Sequence, residues 1–102
     1  MKIELKPNEV VVKAGNTNLY FINKQIDGKL IVTNQRIYFK TMKEELNKFD
    51  LEIVPGEIKE LHYYNTKWIF PNGLNILTKD GDEIKFVVKN REEWAKVINK
   101  MY

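Results

Sequence analysis

Short runs of Val, Ile, Leu, Tyr and Phe recur along this chain and alternate with polar residues at a period of two, the pattern of strands that turn one face to a core. The clearest is Gly28-Lys-Leu-Ile-Val-Thr-Asn-Gln-Arg36-Ile-Tyr-Phe39, which folds back on itself with Asn34 and Gln35 as the loop. Val32 then faces Ile37 and Leu30 faces Phe39 on one side of the ribbon, while Thr33 faces Arg36 and Ile31 faces Tyr38 on the other. The first side is wholly apolar and belongs on a core. Turn signals at Ala14-Gly15-Asn16, Asp27-Gly28, Asn34-Gln35, Pro55-Gly56, Pro71-Asn72-Gly73 and Asp80-Gly81 punctuate the sequence. They predict strands near Val10 to Phe21 (bent or broken at Gly15), Gly28 to Asn34, Arg36 to Thr41, Phe49 to Val54, Ile58 to Tyr64 with an extension toward Phe70, Leu74 to Thr78 and Glu83 to Val88. The polar stretch Met42 to Lys48 has room for a turn of helix. This is an antiparallel meander in a sandwich or barrel, because strand-helix-strand units need longer crossovers.

In the last hairpin two rules conflict. Asp80-Gly81 invites a two-residue turn, but that register sets Ile76 against Lys85 and Asn75 against Phe86. One extra loop residue restores a uniform face, with Leu74 against Val88, Ile76 against Phe86 and Thr78 against Ile84. Beyond it the period changes. Trp94, Val97, Ile98 and Met101 form an apolar stripe on an otherwise polar helix that starts close to Arg91. Asn90 is placed to cap it, its side chain accepting from the amide of Glu93 while Glu93 reaches back, a capping box. The stripe covers the open end of the strand assembly, with Trp94 as the deepest plug.

A chain of 102 residues makes one domain, 1–102, with room for a single core. It is 43% hydrophobic and 30% charged, as soluble globular proteins are, and no window approaches the roughly 18 apolar residues of a membrane span. The opening Met1 to Pro7 lacks the apolar run of a signal peptide. The absence of cysteine removes disulfides and thiol chemistry and suits the cytoplasm. A net charge of +3, from 17 basic and 14 acidic residues interspersed along the chain, is too mild for a committed nucleic-acid binder.

The pattern Gly28-x-Leu30-x-x-Thr33-x-x-Arg36-Ile37-x-Phe39 resembles the signature of GRAM domains and related bacterial PH-like domains. In these a glycine opens the second strand and a Thr-x-x-Arg turn leads into the third. Glu9-Val10, Ala14, Leu51-x-Ile53, Ile58, Ile76-x-Thr78-x-Asp80-Gly81 and the closing Phe86-x-Val88-x-x-Arg91-x-x-Trp94 match in order. Gly28, Thr33, Arg36 and Trp94 are the structural signature. The resemblance covers nearly the whole chain and implies a mainly β fold of the pleckstrin-homology superfold: a split barrel of about seven antiparallel strands capped by one C-terminal α-helix. It also implies a binding module, for phosphoinositides and other lipids or for protein partners.

Catalysis is disfavoured by inventory. There is no Ser and no Cys, and the one imidazole, His62, lies in a predicted strand as a structural or half-exposed residue. Asp80, Asp82 and Glu83 cluster at a hairpin tip, a solvated turn that fails the calcium-loop pattern. No glycine-rich phosphate loop is present, so neither a metal nor a cofactor is expected. An oligonucleotide-binding barrel has its helix between the third and fourth strands, whereas this helix comes last, so no nucleic acid is expected. For an anionic lipid headgroup the available cations are Lys13, Lys24, Lys29 and Lys40, with Arg36 read as structural, pairing across the ribbon or bonding turn carbonyls. For a protein partner or a homodimer the candidates are a sheet edge and the surface Tyr63, Tyr64, Lys67, Trp68 and Phe70, where aromatics stand beside a lysine. The function expected is a non-catalytic interaction module for protein or self-association, with anionic lipid recognition at a membrane surface as the alternative.

Overall fold

The β2–β3 hairpin, strands Lys24–Thr33 and Ile37–Thr41, forms in the predicted register: Val32 pairs with Ile37, Leu30 with Phe39 and Ile31 with Tyr38. Leu30, Val32, Ile37 and Phe39 are all but sealed from solvent, which makes this ribbon the centre of the core. The structure, a computed structural model, describes residues 4–21, 24–66 and 70–102, with 21, 66, 70 and 71 described by their backbone alone. Around the hairpin lie β1 (Val11–Phe21), β4 (Leu51–Ile53), β5 (Ile58–Thr66), β6 (Phe70–Thr78) and β7 (Glu83–Val87). All pairings are antiparallel, and the seven strands run in the order β4-β3-β2-β1-β7-β6-β5. Two 3-10 turns, Glu44–Phe49 and Pro55–Glu57, flank β4. The helix α1, Arg91–Asn99, closes the chain. No helix among the described residues is long and apolar enough to cross a membrane.

Several expectations give way to tertiary context. Asp27-Gly28 and Ala14-Gly15-Asn16 are not turns but lie inside β2 and β1. Gly28 therefore does not open β2. A Cβ there would sit 2.5 Å from the Phe39 ring and from the Lys40 carbonyl, so the glycine makes room for an aromatic lying across the ribbon. Gly15 serves α1 in the same way, its α-carbon facing the Trp94 ring. In the last hairpin the loop does carry one extra residue and the faces agree with expectation, but the pairing is displaced by two. Leu74 meets Phe86 and Ile76 meets Ile84. Gly81 donates to the Thr78 carbonyl and adopts a φ of 91°, closing a turn followed by a left-handed residue, and Thr78 then pairs with Asp82. That left-handed position is the one glycine takes without strain, and it decides which residues the loop contains.

Helix α1 starts where expected but without a capping box. Asn90 is itself left-handed (φ 55°, ψ 53°) and makes no side-chain cap bond. A capping side chain reaches the third amide from an extended backbone, and this residue is not extended. Instead its carbonyl accepts from the amides of Glu93 and Trp94, at 2.9 and 3.4 Å. Trp94, Ala95 and Ile98 are buried, and Val97 and Met101 pack on the core more loosely. Trp94 is 4% exposed and Ile98 fully buried, so the plug is shared between them.

Candidate functional site

Three surfaces carry the residues singled out by the sequence, and a fourth feature was not foreseen. At one end of the barrel Leu19 of β1, Phe49 and Leu51 around the start of β4, and Ile84 of β7 line a cleft of about 610 Å³. Tyr20, Lys48, Asp82 and Glu83 complete its rim. Leu19 is four residues along β1 from Gly15, where Trp94 packs, so roughly 13 Å of strand separate this mouth from the helix contact. The Lys48 ammonium lies 5.3 Å from the Phe49 ring centroid, a cation resting on an aromatic face. Glu83 accepts a 2.9 Å bond from the amide nitrogen of Asn75. The mouth is apolar in its floor and holds two carboxylates to one cation. Asp82 and Glu83 were legible as a solvated turn; their place on the rim of a cleft follows only from the fold.

The four lysines do not meet. Lys24 opens β2 opposite Phe21, while Lys13 pairs with Val32 eight residues further along, a span of about 26 Å. Lys13 lies 3.5 Å from Glu93 and 4.9 Å from the Trp94 ring centroid, at the helix end. Lys29 and Lys40 are direct neighbours across β2 and β3, on the side away from Leu30 and Phe39. The Lys40 ammonium is held 2.8 Å from Asp50. Burial works to raise the Asp50 carboxyl, but bonds from Lys40 and from the Thr41 amide outweigh it and hold it below the usual range.

In the aromatic surface, Tyr63 is half exposed and the Arg91 guanidinium stacks 4.3 Å from its ring centroid. Arg91 also donates to the Tyr64 carbonyl at 2.8 Å, fastening the start of α1 to β5. Tyr64 is half-buried, its ring lying over Gly73 and 5.7 Å from the Lys85 ammonium. It donates to the Phe86 carbonyl at 3.1 Å, and burial, with Tyr20 nearby, pushes its hydroxyl up to about 12. Lys67 and Trp68 lie outside the described residues, and Phe70 is placed by its backbone alone as the first residue of β6. His62 is exposed and sits 3.0 Å from Glu60. Among the described residues no group of three His, Cys, Asp or Glu converges as a metal would require.

The unforeseen feature is a strap. Residues 4–10 cross the outer side of the β2–β3 turn, and Arg36 holds them there. Its Nε and Nη2 each reach a Glu9 carboxylate oxygen at 2.8 Å, and Nη2 also donates to the Glu4 carbonyl. Nη1 lies 3.2 Å from Glu52, and the guanidinium stacks on Tyr38, 4.1 Å from its centroid. Thr33 completes the knot: its hydroxyl donates to Glu9 at 2.6 Å and accepts from the amides of Gln35 and Arg36. The Arg36 bonds, with help from Thr33 and the Lys6 amide, outweigh burial and lower the Glu9 carboxyl to about 2. Thr33 and Arg36 of the sequence signature are thus a buried polar lock.

No family model matches this chain, and the search of curated proteins found no relative. Solved structures do match. The C-terminal domain of an unknown protein from Leishmania infantum superposes with a TM-score of 0.77 at 16% identity, over 93% of this chain and 86% of its own. The Vps36 N-terminal PH domain gives 0.70 at 13% identity, over 95% and 84%. The Slm1-PH domain in complex with phosphoserine gives 0.62 at 12% identity, over 89% and 91%. Seven antiparallel strands in this order with a closing helix are therefore a pleckstrin-homology-like fold.

Proposed function

We propose that this chain is a non-catalytic interaction module whose partner is a protein, bound at the barrel mouth through an apolar side chain next to Lys or Arg. One observation carries the reading: the mouth has an apolar floor of Leu19, Phe49, Leu51 and Ile84, with Asp82 and Glu83 beside it. A phosphorylated headgroup needs several cations converging on it, and carboxylates on the rim repel it. A peptide with Leu or Phe beside Arg satisfies both halves of the cleft. GRAM-type membership and a cytoplasmic location belong to this reading, supported by the Gly28, Thr33 and Arg36 pattern and by the cysteine-free composition. Tyr63, Tyr64, Lys67, Trp68 and Phe70 are a second partner surface, supported by the exposed Tyr63 ring.

The alternative, an anionic lipid headgroup held by Lys13, Lys24, Lys29 and Lys40, has the Lys29–Lys40 neighbourhood in its favour. Calorimetric titration with Leu-Arg and Leu-Glu peptides, run beside co-sedimentation with phosphatidylserine vesicles, separates the two. The expected result is binding of the Leu-Arg peptide alone, weakened by Glu83→Lys. Salt-sensitive pelleting with the vesicles and no peptide binding would overturn the reading in favour of lipid.

A further inference from the structure

We infer that the first half of β1 is a docking edge for a second copy of this chain, joined by antiparallel strand pairing around Val11. Strand β1 is paired with β2 at every residue but Val12, and with β7 only at Asn18, Leu19 and Tyr20. Among the described residues no strand lies against the other side of Val11 to Thr17. The direction of the backbone there follows from its neighbour. Val10 donates its amide to the Asn34 side chain at 2.8 Å and accepts the Asn34 amide at 3.0 Å, so both its groups face the β2–β3 turn. Successive residues of a strand alternate, and Val11 therefore aims its N–H and C=O at the open side.

The side chains single out the same place. Val10, Val11 and Val12 are 61, 44 and 54% exposed, three consecutive β-branched residues open on both faces of the strand. The two terminal strands of the sheet are blunted, in contrast: β4 has three residues, and β5 exposes Lys59, Glu60 and His62 and carries register shifts at both ends. Those are the devices that discourage edge pairing, and β1 carries no charge before Lys13, whose ammonium lies 3.5 Å from Glu93. It has one irregularity, a shift between Val11 and Lys13 that leaves Val12 without a partner on β2.

The occupant follows from what such an edge can accept. Unpaired strand amides and carbonyls are satisfied by another extended backbone, and an uncharged valine run accepts an uncharged β-branched run. This chain carries one, on the very edge in question. Antiparallel pairing centred on Val11 sets Val11 against its own copy and Val10 against Val12 of the second copy, and keeps each Lys13 away from the other. The surface is separate from the mouth and does not depend on any partner bound there.

The test is the concentration dependence of mass, by sedimentation equilibrium on the full chain, with two variants and one local probe. Wild type should dissociate on dilution. Val12→Lys, on an exposed side chain, and Val11→Pro, which deletes the outward amide, should each raise the dimer Kd about tenfold or more, the effect of a lost backbone bond or an unmatched charge at each of two equivalent sites. Unchanged thermal melts of the diluted variants exclude misfolding as the cause. In wild type the Val11 amide should exchange with solvent fast when dilute and slowly when concentrated. A chain that stays monomeric at its solubility limit overturns the inference, as does a dimer that both variants leave intact or a Val11 amide indifferent to concentration.

Discussion

At the scale of single residues, the knot of Glu9, Thr33 and Arg36 makes a prediction about acid. The Glu9 carboxyl ionises at about 2 in the folded chain against about 4.5 when free, so the folded form binds its proton less readily than the unfolded one. Its contribution to stability is complete above about pH 4.5 and disappears as pH falls toward 2. Urea midpoints measured across that window should fall with acidification in the wild type, and Glu9→Gln should flatten the decline while lowering the midpoint at neutral pH. An equally steep acid limb in the variant would assign the loss to other carboxylates. Gly28 offers a second test. Gly28→Ala should destabilise by about 1 to 3 kcal/mol, because its methyl group meets the Phe39 ring and the Lys40 carbonyl at 2.5 Å. The sequence pattern marked Thr33 and Arg36 as special, and the reason was only half legible. Their cross-ribbon pairing could be read from alternation, but the Glu9 partner is 27 residues from Arg36 and is brought in by a strap that no periodicity announces.

At the scale of elements, the turn dipeptides divide: Asn34-Gln35, Pro55-Gly56 and Asp80-Gly81 make turns, whereas Asp27-Gly28, Ala14-Gly15-Asn16 and Pro71-Asn72-Gly73 lie inside strands. The register of the β2–β3 hairpin was legible from the facing pairs Leu30–Phe39 and Val32–Ile37 and the short loop, although β2 begins at Lys24, before Gly28. Asp27-Gly28 and Ala14-Gly15 looked like breaks because glycine marks turns in isolation. Here each glycine accommodates an aromatic ring, Phe39 or Trp94, which is a tertiary demand. The helix start tests the same distinction. With Asn90 left-handed and its side chain idle, Asn90→Gly should be neutral or slightly stabilising, whereas Asn90→Ala should cost about 1 kcal/mol. A capping side chain would show the opposite for glycine, so the two variants in one urea series tell backbone strain from capping. Within the same element Trp94→Ala should cost about 3 to 5 kcal/mol, since Trp94 is 4% exposed and fills the space that Gly15 leaves.

At the scale of the whole molecule, the fold places its helix plug and its mouth at positions on β1 about 13 Å apart, with Phe39, Phe86 and Leu30 sealed inside the seven-stranded sheet. The Phe39 and Phe86 rings meet with centroids 5.7 Å apart, and a core packed in this way resists small deformations. If it is rigid, the two ends are energetically separate, and a partner seated at the mouth is felt there alone. A double-mutant cycle measures this directly. Leu51→Ala removes part of the mouth lining and Trp94→Phe loosens the plug without emptying it. Their costs by urea unfolding should add to within about 0.5 kcal/mol, as they do for residues that share no contact. A coupling above about 1 kcal/mol would mean that the core transmits strain from β4 to α1, and binding at the mouth would then register in the packing of Trp94. Trp94 fluorescence, read in a Trp68→Phe background on titrating the Leu-Arg peptide, reports the same property from the binding side, and a rigid barrel predicts no change in it. Additivity with a silent Trp94 describes a passive scaffold, on which specificity is tuned by the side chains of the mouth without cost to the fold.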